Sequence, residues 1–200
     1  MSTPIVIDGK GHVSGRLCAA VAKMLLNGKR IVVLRAEEIV TNGDHKFNYH
    51  KYCRFLRKTT NTNPRDGPFH QRAPSEMFLR SVRGMVNYKT ARGAAAFANL
   101  KVFEGVPPKY QSAHTHVVPT ALRITSIHHE RPTTSLGTIA TTFGWKYGAV
   151  VARLEDKRKE EAAKRYEQSK NDAKKRAQAL QAANKQLGEA AVRFLDTYVE

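Results

Sequence analysis

Two hundred residues are enough for one domain with its own core and an appendage. Lys and Arg total 34 against 17 acids, a formal net charge of +17, so the isolated molecule repels itself and suits a polyanion, nucleic acid before an acidic membrane surface. No apolar run approaches the ~18 residues needed to cross a bilayer, and Cys18 and Cys53 make no disulfide framework, which fits a reducing compartment such as cytosol or nucleus.

The opening MSTPIVIDGKGHVSGRL has no basic flank followed by an apolar stretch, so no signal peptide is expected. Asp8, with only Lys10 and Arg16 as bases, disfavours a mitochondrial transit peptide. PIVID (4–8) predicts a buried strand, and GKGHVSG a tight turn. In GRLCAAVAKMLLNGK, Leu17, Val21, Met24 and Leu25 share a helical face, and Asn27-Gly28 ends the helix. RIVVLRA (30–36) is a second strand, and EEIVTNGDH holds a shorter third, stopped at Asn42-Gly43. This alternation predicts an α/β domain with a small, largely parallel sheet.

From Phe47 to Lys58 the spacing predicts a helix with Tyr49, Tyr52, Cys53 and Leu56 on one side and Lys51, Arg54 and Lys58 on the other. A second basic helix begins near Pro74, capped by Ser75. Phe78, Leu79, Val82, Met85 and Val86 form its inner stripe, with Arg80, Arg83 and Asn87 opposite. Residues 90–100 are a third, alanine-rich helix, and 101–105 another strand. From about Leu154 the composition turns to Ala, Glu, Lys, Arg and Gln, with Glu160–Lys164 and Glu161–Arg165 at i,i+4. Apolar residues recur at Ala173, Ala177, Leu180, Leu187, Ala191, Phe194 and Tyr198. A helix of this length reaches roughly 50 Å, too far to lie on a small domain throughout, so it is expected to lie on a partner.

Between the two basic helices lies TNTNPRDGPFHQRAP (60–74), whose only large apolar side chain is Phe69. A loop this long without secondary structure is functional or disordered. Residues 1–150 carry a net +14 and residues 151–200 only +3. Residues 45–92 hold eleven basic side chains, Lys46, Lys51, Arg54, Arg57, Lys58, Arg65, Arg72, Arg80, Arg83, Lys89 and Arg92, against only Asp66 and Glu76. Two basic helix faces and a proline-stiffened strap suit a crowded phosphate backbone, the strap ordering when RNA arrives. With Arg16 and His70, these eleven are the RNA-binding candidates.

A second chemistry is open at the glycine turn. Strand, glycine turn and helix invite a nucleotide-cofactor oxidoreductase, with Glu37 or Glu38 toward a ribose. Gly9, Gly11 and Gly15, however, give GxGxxxG, one residue too long, and Arg35 stands where an acid should end the strand. A structural turn through these glycines is the favoured reading. The histidines complete no ligand set (His50 with Cys53, His114 with His116, His128 with His129), so no metal is expected and they are read as solvated or RNA-facing. No grouping marks a nucleophile, and no cofactor is expected.

VIDGKGHVSGRLCAAVAKML, IVVLRAEEIVTNG, RAPSEMFLRSVRGMV and LKVFEGVPPKY, in that order, resemble the family of ribosomal protein thirteen of the large subunit. TNTNPRDGPFHQRAPSEMFLRSVRGM and GWKYGAVVARLEDKRKEE are similar to its eukaryotic branch. The resemblance implies a three-layer α/β domain over residues 1–150, with 59–74 as an extended basic loop, and a charged helical extension over 151–200. It also implies no catalysis, binding to large-subunit rRNA and neighbouring ribosomal proteins, a role in assembly, and a cytosolic ribosome reached by nuclear and nucleolar passage. By position it makes Arg72, Arg80 and Arg83 RNA contacts. The bacterial branch has a longer insertion where Gly28-Lys29-Arg30 joins first helix to second strand here, so contacts from that insertion do not transfer.

Overall fold

A computed structural model describes residues 3–187. The chain divides into two units, residues 1–153 and residues from 154 onward. In the first, strand β1 (Ile5–Asp8) leads through the glycine turn into helix α1 (Ser14–Leu26) and back to strand β2 (Ile31–Leu34). There follow β3 (Val40–Asn42), α2 (His45–Leu56), α3 (Pro74–Met85), α4 (Ala91–Ala98) and β4 (Leu100–Val102). The unit continues with β5 (Thr115–His116), α5 (Arg123–Ser126), β6 (Thr133–Ser135), α6 (Leu136–Thr142) and the start of α7 (Gly148–Leu187).

Four strands form a parallel sheet in the order β4-β2-β1-β5, with Ile5 opposite Ile31 and Val33 opposite Val102. A separate antiparallel ladder joins β3 to β6. The fold is thus the mixed α/β arrangement, with a mostly parallel sheet and a long C-terminal helix, that the strand–helix alternation predicts.

Both sheet faces are dry, which is why β1 and β2 read as continuous apolar runs rather than alternating ones. On one face Ile7, Ile31 and Val33 meet Leu17, Val21 and Leu25 of α1 and Phe78 and Val82 of α3. On the other, Val6, Val32 and Leu34 are covered by Phe103, Val106, Tyr110 and Ala113. The third layer is therefore the irregular segment 103–113 with one helical turn at Pro108–Tyr110.

Two of the three positions in the glycine turn require glycine on steric or conformational grounds. A Cβ on Gly9 would stand 2.7 Å from the Leu34 carbonyl oxygen and 2.9 Å from Ile39 Cγ1, and Gly11 has φ +68°. Gly15 belongs instead to the first turn of α1, with open space around it. Beside the turn, His12 is fully buried rather than solvated. Its Nε2 accepts the Val118 N–H at 3.1 Å, and its Nδ1 lies 3.1 Å from the Lys10 carbonyl. A backbone amide only donates, so Nε2 is bare and Nδ1 carries the proton.

The second unit is the helix α7 as far as it is described, from Leu154 to Leu187. Lys159 pairs with Asp156, Arg158 with Glu155 and Arg165 with Glu161, the last at the predicted i,i+4 spacing. Leu154, Tyr166 and Leu180 are exposed. The apolar positions Ala191, Phe194 and Tyr198 lie outside the described residues.

Gly9→Ala should destabilise the domain by roughly 1–3 kcal/mol through overpacking against rigid backbone. Gly15→Ala should be neutral or stabilising by up to about 1 kcal/mol, as expected for a helical glycine in open space. Urea melts of the two variants decide this. Cys18 is buried in α1 and burial pushes its thiol up to about 12, whereas Cys53 on α2 is partly accessible. A thiol reagent at neutral pH should therefore modify Cys53 alone in the native protein and both cysteines in denaturant.

Candidate nucleic-acid interface

Asp44 accepts the His45 N–H at 2.7 Å and starts α2. The inward face of α2 is Asn48, Tyr52 and Phe55: of the expected Tyr49, Tyr52, Cys53 and Leu56 it keeps Tyr52, and it is otherwise rotated by one residue. The reason is polar. The Asn48 amide donates to the Gly43 carbonyl at 3.0 Å and to Thr134 Oγ1 at 3.3 Å, tying α2 to the β3–β6 ladder. Tyr52 and Tyr49 pack on Phe143, with ring centroids 4.6 and 5.1 Å away. Lys51, Arg54, Arg57 and Lys58 are left in solvent.

Helix α3 starts with Pro74 at its first position, where a missing N–H costs nothing. Ser75 is not its cap, because the residue before the helix is Ala73, which offers no side-chain acceptor. The acceptor comes from 29 residues away. Glu104 Oε1 takes the Ser75 hydroxyl at 2.5 Å and the Ser75 N–H at 3.3 Å, placing a carboxylate at the positive end of the helix. Phe78, Val82 and Val86 are buried as expected, but Met85 is 46% exposed and leaves the inner stripe.

The strap between the helices carries one turn of its own and is tied to α2 near its C-terminal end. Asn63 Oδ1 accepts the Arg65 N–H and its amide donates to Asp66, closing a helical turn at Pro64–Asp66. The Tyr52 hydroxyl donates to the Gln71 carbonyl at 2.5 Å, and the His70 ring meets the edge of Phe55 at 4.7 Å. Residues 70–71 of the strap are thus tied to α2 within the protein itself. Burial raises the Tyr52 phenol above its ordinary range, with the charges of Arg80 and Arg72 pulling the other way. The strap's apolar residue, Phe69, is 83% exposed.

Between α2 and α3 opens a cleft of about 470 Å³. Lys51, Arg54, Lys58 and Arg80 line it, over Tyr52 and Phe55. Arg80 also borders a second cleft of about 410 Å³ beneath the strap, with Arg83 and Phe69. Arg80 Cζ lies over Phe55, 3.4 Å from the ring centroid, and Arg83 Cζ over Tyr88, 5.0 Å from its centroid. Lys46, Arg57, Arg65, Arg72, Lys89 and Arg92 are exposed around these clefts' helices and strap without lining either one. Arg92 reaches the Leu26 carbonyl at 3.4 Å. Arg16, on α1, reaches the Thr120 carbonyl at 3.5 Å.

Among the described residues, none of the eleven basic side chains between 45 and 92 forms an ion pair with an acid. Phe55, Tyr52 and Gln71 stand outside the sequence-derived candidates. Their signal is the i, i+4, i+7 spacing of Asn48, Tyr52 and Phe55, masked by a polar first member.

A family model described as ribosomal protein L13 matches residues 2–109. The chain belongs to the ribosomal protein L13 family. This is a family of structural proteins of the large ribosomal subunit, not of enzymes, and its partners are ribosomal RNA and other ribosomal proteins. The matched span holds β1 to β4, α1 to α4, the strap and the whole basic block. The oxidoreductase reading finds no support. Asp8 pairs with Arg35, Glu38 approaches Lys10, and the Glu37 carboxylate accepts the Gly105 N–H at 3.0 Å, so the acids near the glycine turn are engaged within the protein. Among the described residues no group of three or more His, Cys, Asp or Glu is placed to hold a metal.

Tyr52→Phe removes one anchor of the strap, worth about 1 kcal/mol for a typical hydrogen bond. Limited trypsin digestion should cut after Arg65 and Arg72 roughly fivefold faster in the variant, with global stability little changed. Equal cleavage rates would show that this bond does not hold the strap.

Proposed function

We propose that the chain is a structural rRNA-binding protein in the large subunit of a eukaryotic-type cytosolic ribosome, entering the particle during nuclear and nucleolar assembly. Family membership supports the ribosomal role, and the strap and tail motifs that resemble the eukaryotic branch support the rest. The observation that carries RNA binding is the block of basic side chains on α2, the strap, α3 and α4, which among the described residues form no ion pair with an acid. RNA strands brought together in a folded subunit repel one another, and cations held on a rigid surface offset that repulsion.

The proposed contacts are Lys46, Lys51, Arg54, Arg57, Lys58, Arg65, His70, Arg72, Arg80, Arg83, Lys89 and Arg92, with Arg16 on α1 as an outlying member. Helix α7 lies on neighbouring proteins of the subunit. Residues 151–200 together carry only +3, against +14 for residues 1–150, which suits protein partners better than a phosphate track.

Filter binding to large-subunit rRNA across a salt series tests the reading. Affinity should fall steeply with salt. The triple variant Lys51→Ala, Arg54→Ala, Lys58→Ala should flatten the log–log slope by roughly 0.7–0.9 for each phosphate left without its cation. A slope equal to the wild type's would remove these three from the interface. Sedimentation away from the large subunit at moderate salt would remove the ribosomal assignment itself.

A further inference from the structure

We infer that the cleft under the strap is a stacking site for unpaired RNA bases, with Phe69, Arg80 and Arg83 as its platforms. This rests on the RNA-binding reading and assigns these two arginines a task other than phosphate contact. Three observations carry it.

The first is the backing of the arginines. Arg80 Cζ sits over the Phe55 ring, 3.4 Å from its centroid, and Arg83 Cζ over Tyr88 at 5.0 Å. A guanidinium seated on a ring has one planar face covered and the other presented outward. Such a plate matches the flat face of a base as well as it matches a phosphate edge. The two lie three residues apart on α3, so they are neighbours on one side of the helix.

The second is Phe69. It lines the same cleft as both arginines, yet 83% of it is exposed. A phenylalanine held in water by a proline-flanked strap contributes little to the fold. It is the kind of side chain on which single-stranded nucleic acid stacks.

The third is Glu76, an acid beside the two arginines in a lining otherwise built mostly of apolar residues. A carboxylate repels phosphate but accepts hydrogen bonds from the exocyclic amino group of a base. The first cleft, lined by Lys51, Arg54, Lys58 and Arg80, holds no acid. The two clefts thus divide the work: phosphate in one, bases in the other, with Arg80 at the border.

The test is the full chain binding large-subunit rRNA across a salt series, comparing wild type with Phe69→Ala and Arg80→Lys. Lysine keeps the charge and loses the plane. Each variant should bind about tenfold more weakly at every salt concentration, with the slope unchanged, since stacking releases no counterions. Phe69 is exposed, so its replacement leaves the fold intact, which a thermal melt verifies. Binding by both variants within twofold of the wild type overturns the stacking site and leaves the phosphate-binding reading standing. A weaker affinity in Phe69→Ala or Arg80→Lys accompanied by a flatter slope also overturns it. Failure of the wild type to bind rRNA would overturn both readings together.

Discussion

The first unit uses its acids to hold itself together. Asp8 locks Arg35 between neighbouring strands, Glu37 takes the Gly105 amide and Glu104 sits on the start of α3. Asp44 starts α2 and Asp66 closes the turn in the strap. Each carboxylate satisfies a backbone or side-chain donor that would otherwise be exposed or buried without a partner. Little negative charge is left for the face of α2, α3 and α4, whose cations form no ion pair among the described residues. The net charge of the chain is thus a consequence of where its few acids are needed. Self-repulsion among the basic side chains destabilises the free protein, and the Ser75–Glu104 and Asn48 clamps hold the helices in place against it.

This arrangement explains what is legible in the sequence. β1 and β2 can be read because three and four consecutive apolar residues between turn signals admit little else. The basic block can be read because charge needs no tertiary partner to be counted. α2 reads at its true place but rotated, because hydrophobic periodicity assumes the inner face is apolar, whereas Asn48 is buried to clamp a turn. β5 and β6 escape a sequence reading because TH and TTS have no apolar run and exist only through partners more than 90 residues away. The cap of α3 misleads for the same reason: a serine beside a proline is a sound local signal, and a glutamate 29 residues on displaces it.

The site shows the same boundary between local and long-range information. Every basic candidate stands at the surface, yet nothing in the sequence near Arg80 announces that Phe55 will lie beneath it. That pairing depends on the angle at which α2 and α3 meet, which Asn48 and the shared core residues set. A backed guanidinium differs from a free one in entropy as well as geometry. A long charged side chain that is already stacked loses less rotamer freedom when a ligand arrives, so more of its interaction energy appears as affinity.

The strap sharpens the same point. Its turn at Pro64–Asp66 and its anchors at His70 and Gln71 leave residues 67–69 as a short span between fixed ends. Phe69 is held out by that span rather than by any pocket. A strap that ordered only on RNA would lose backbone freedom at about 1–2 kcal/mol per residue fixed. One already tied at Tyr52 and Phe55 has met part of that cost during folding. The aromatic residues of α2 therefore serve twice: they seat the helix against Phe143, and they hold the strap in place in advance of any ligand.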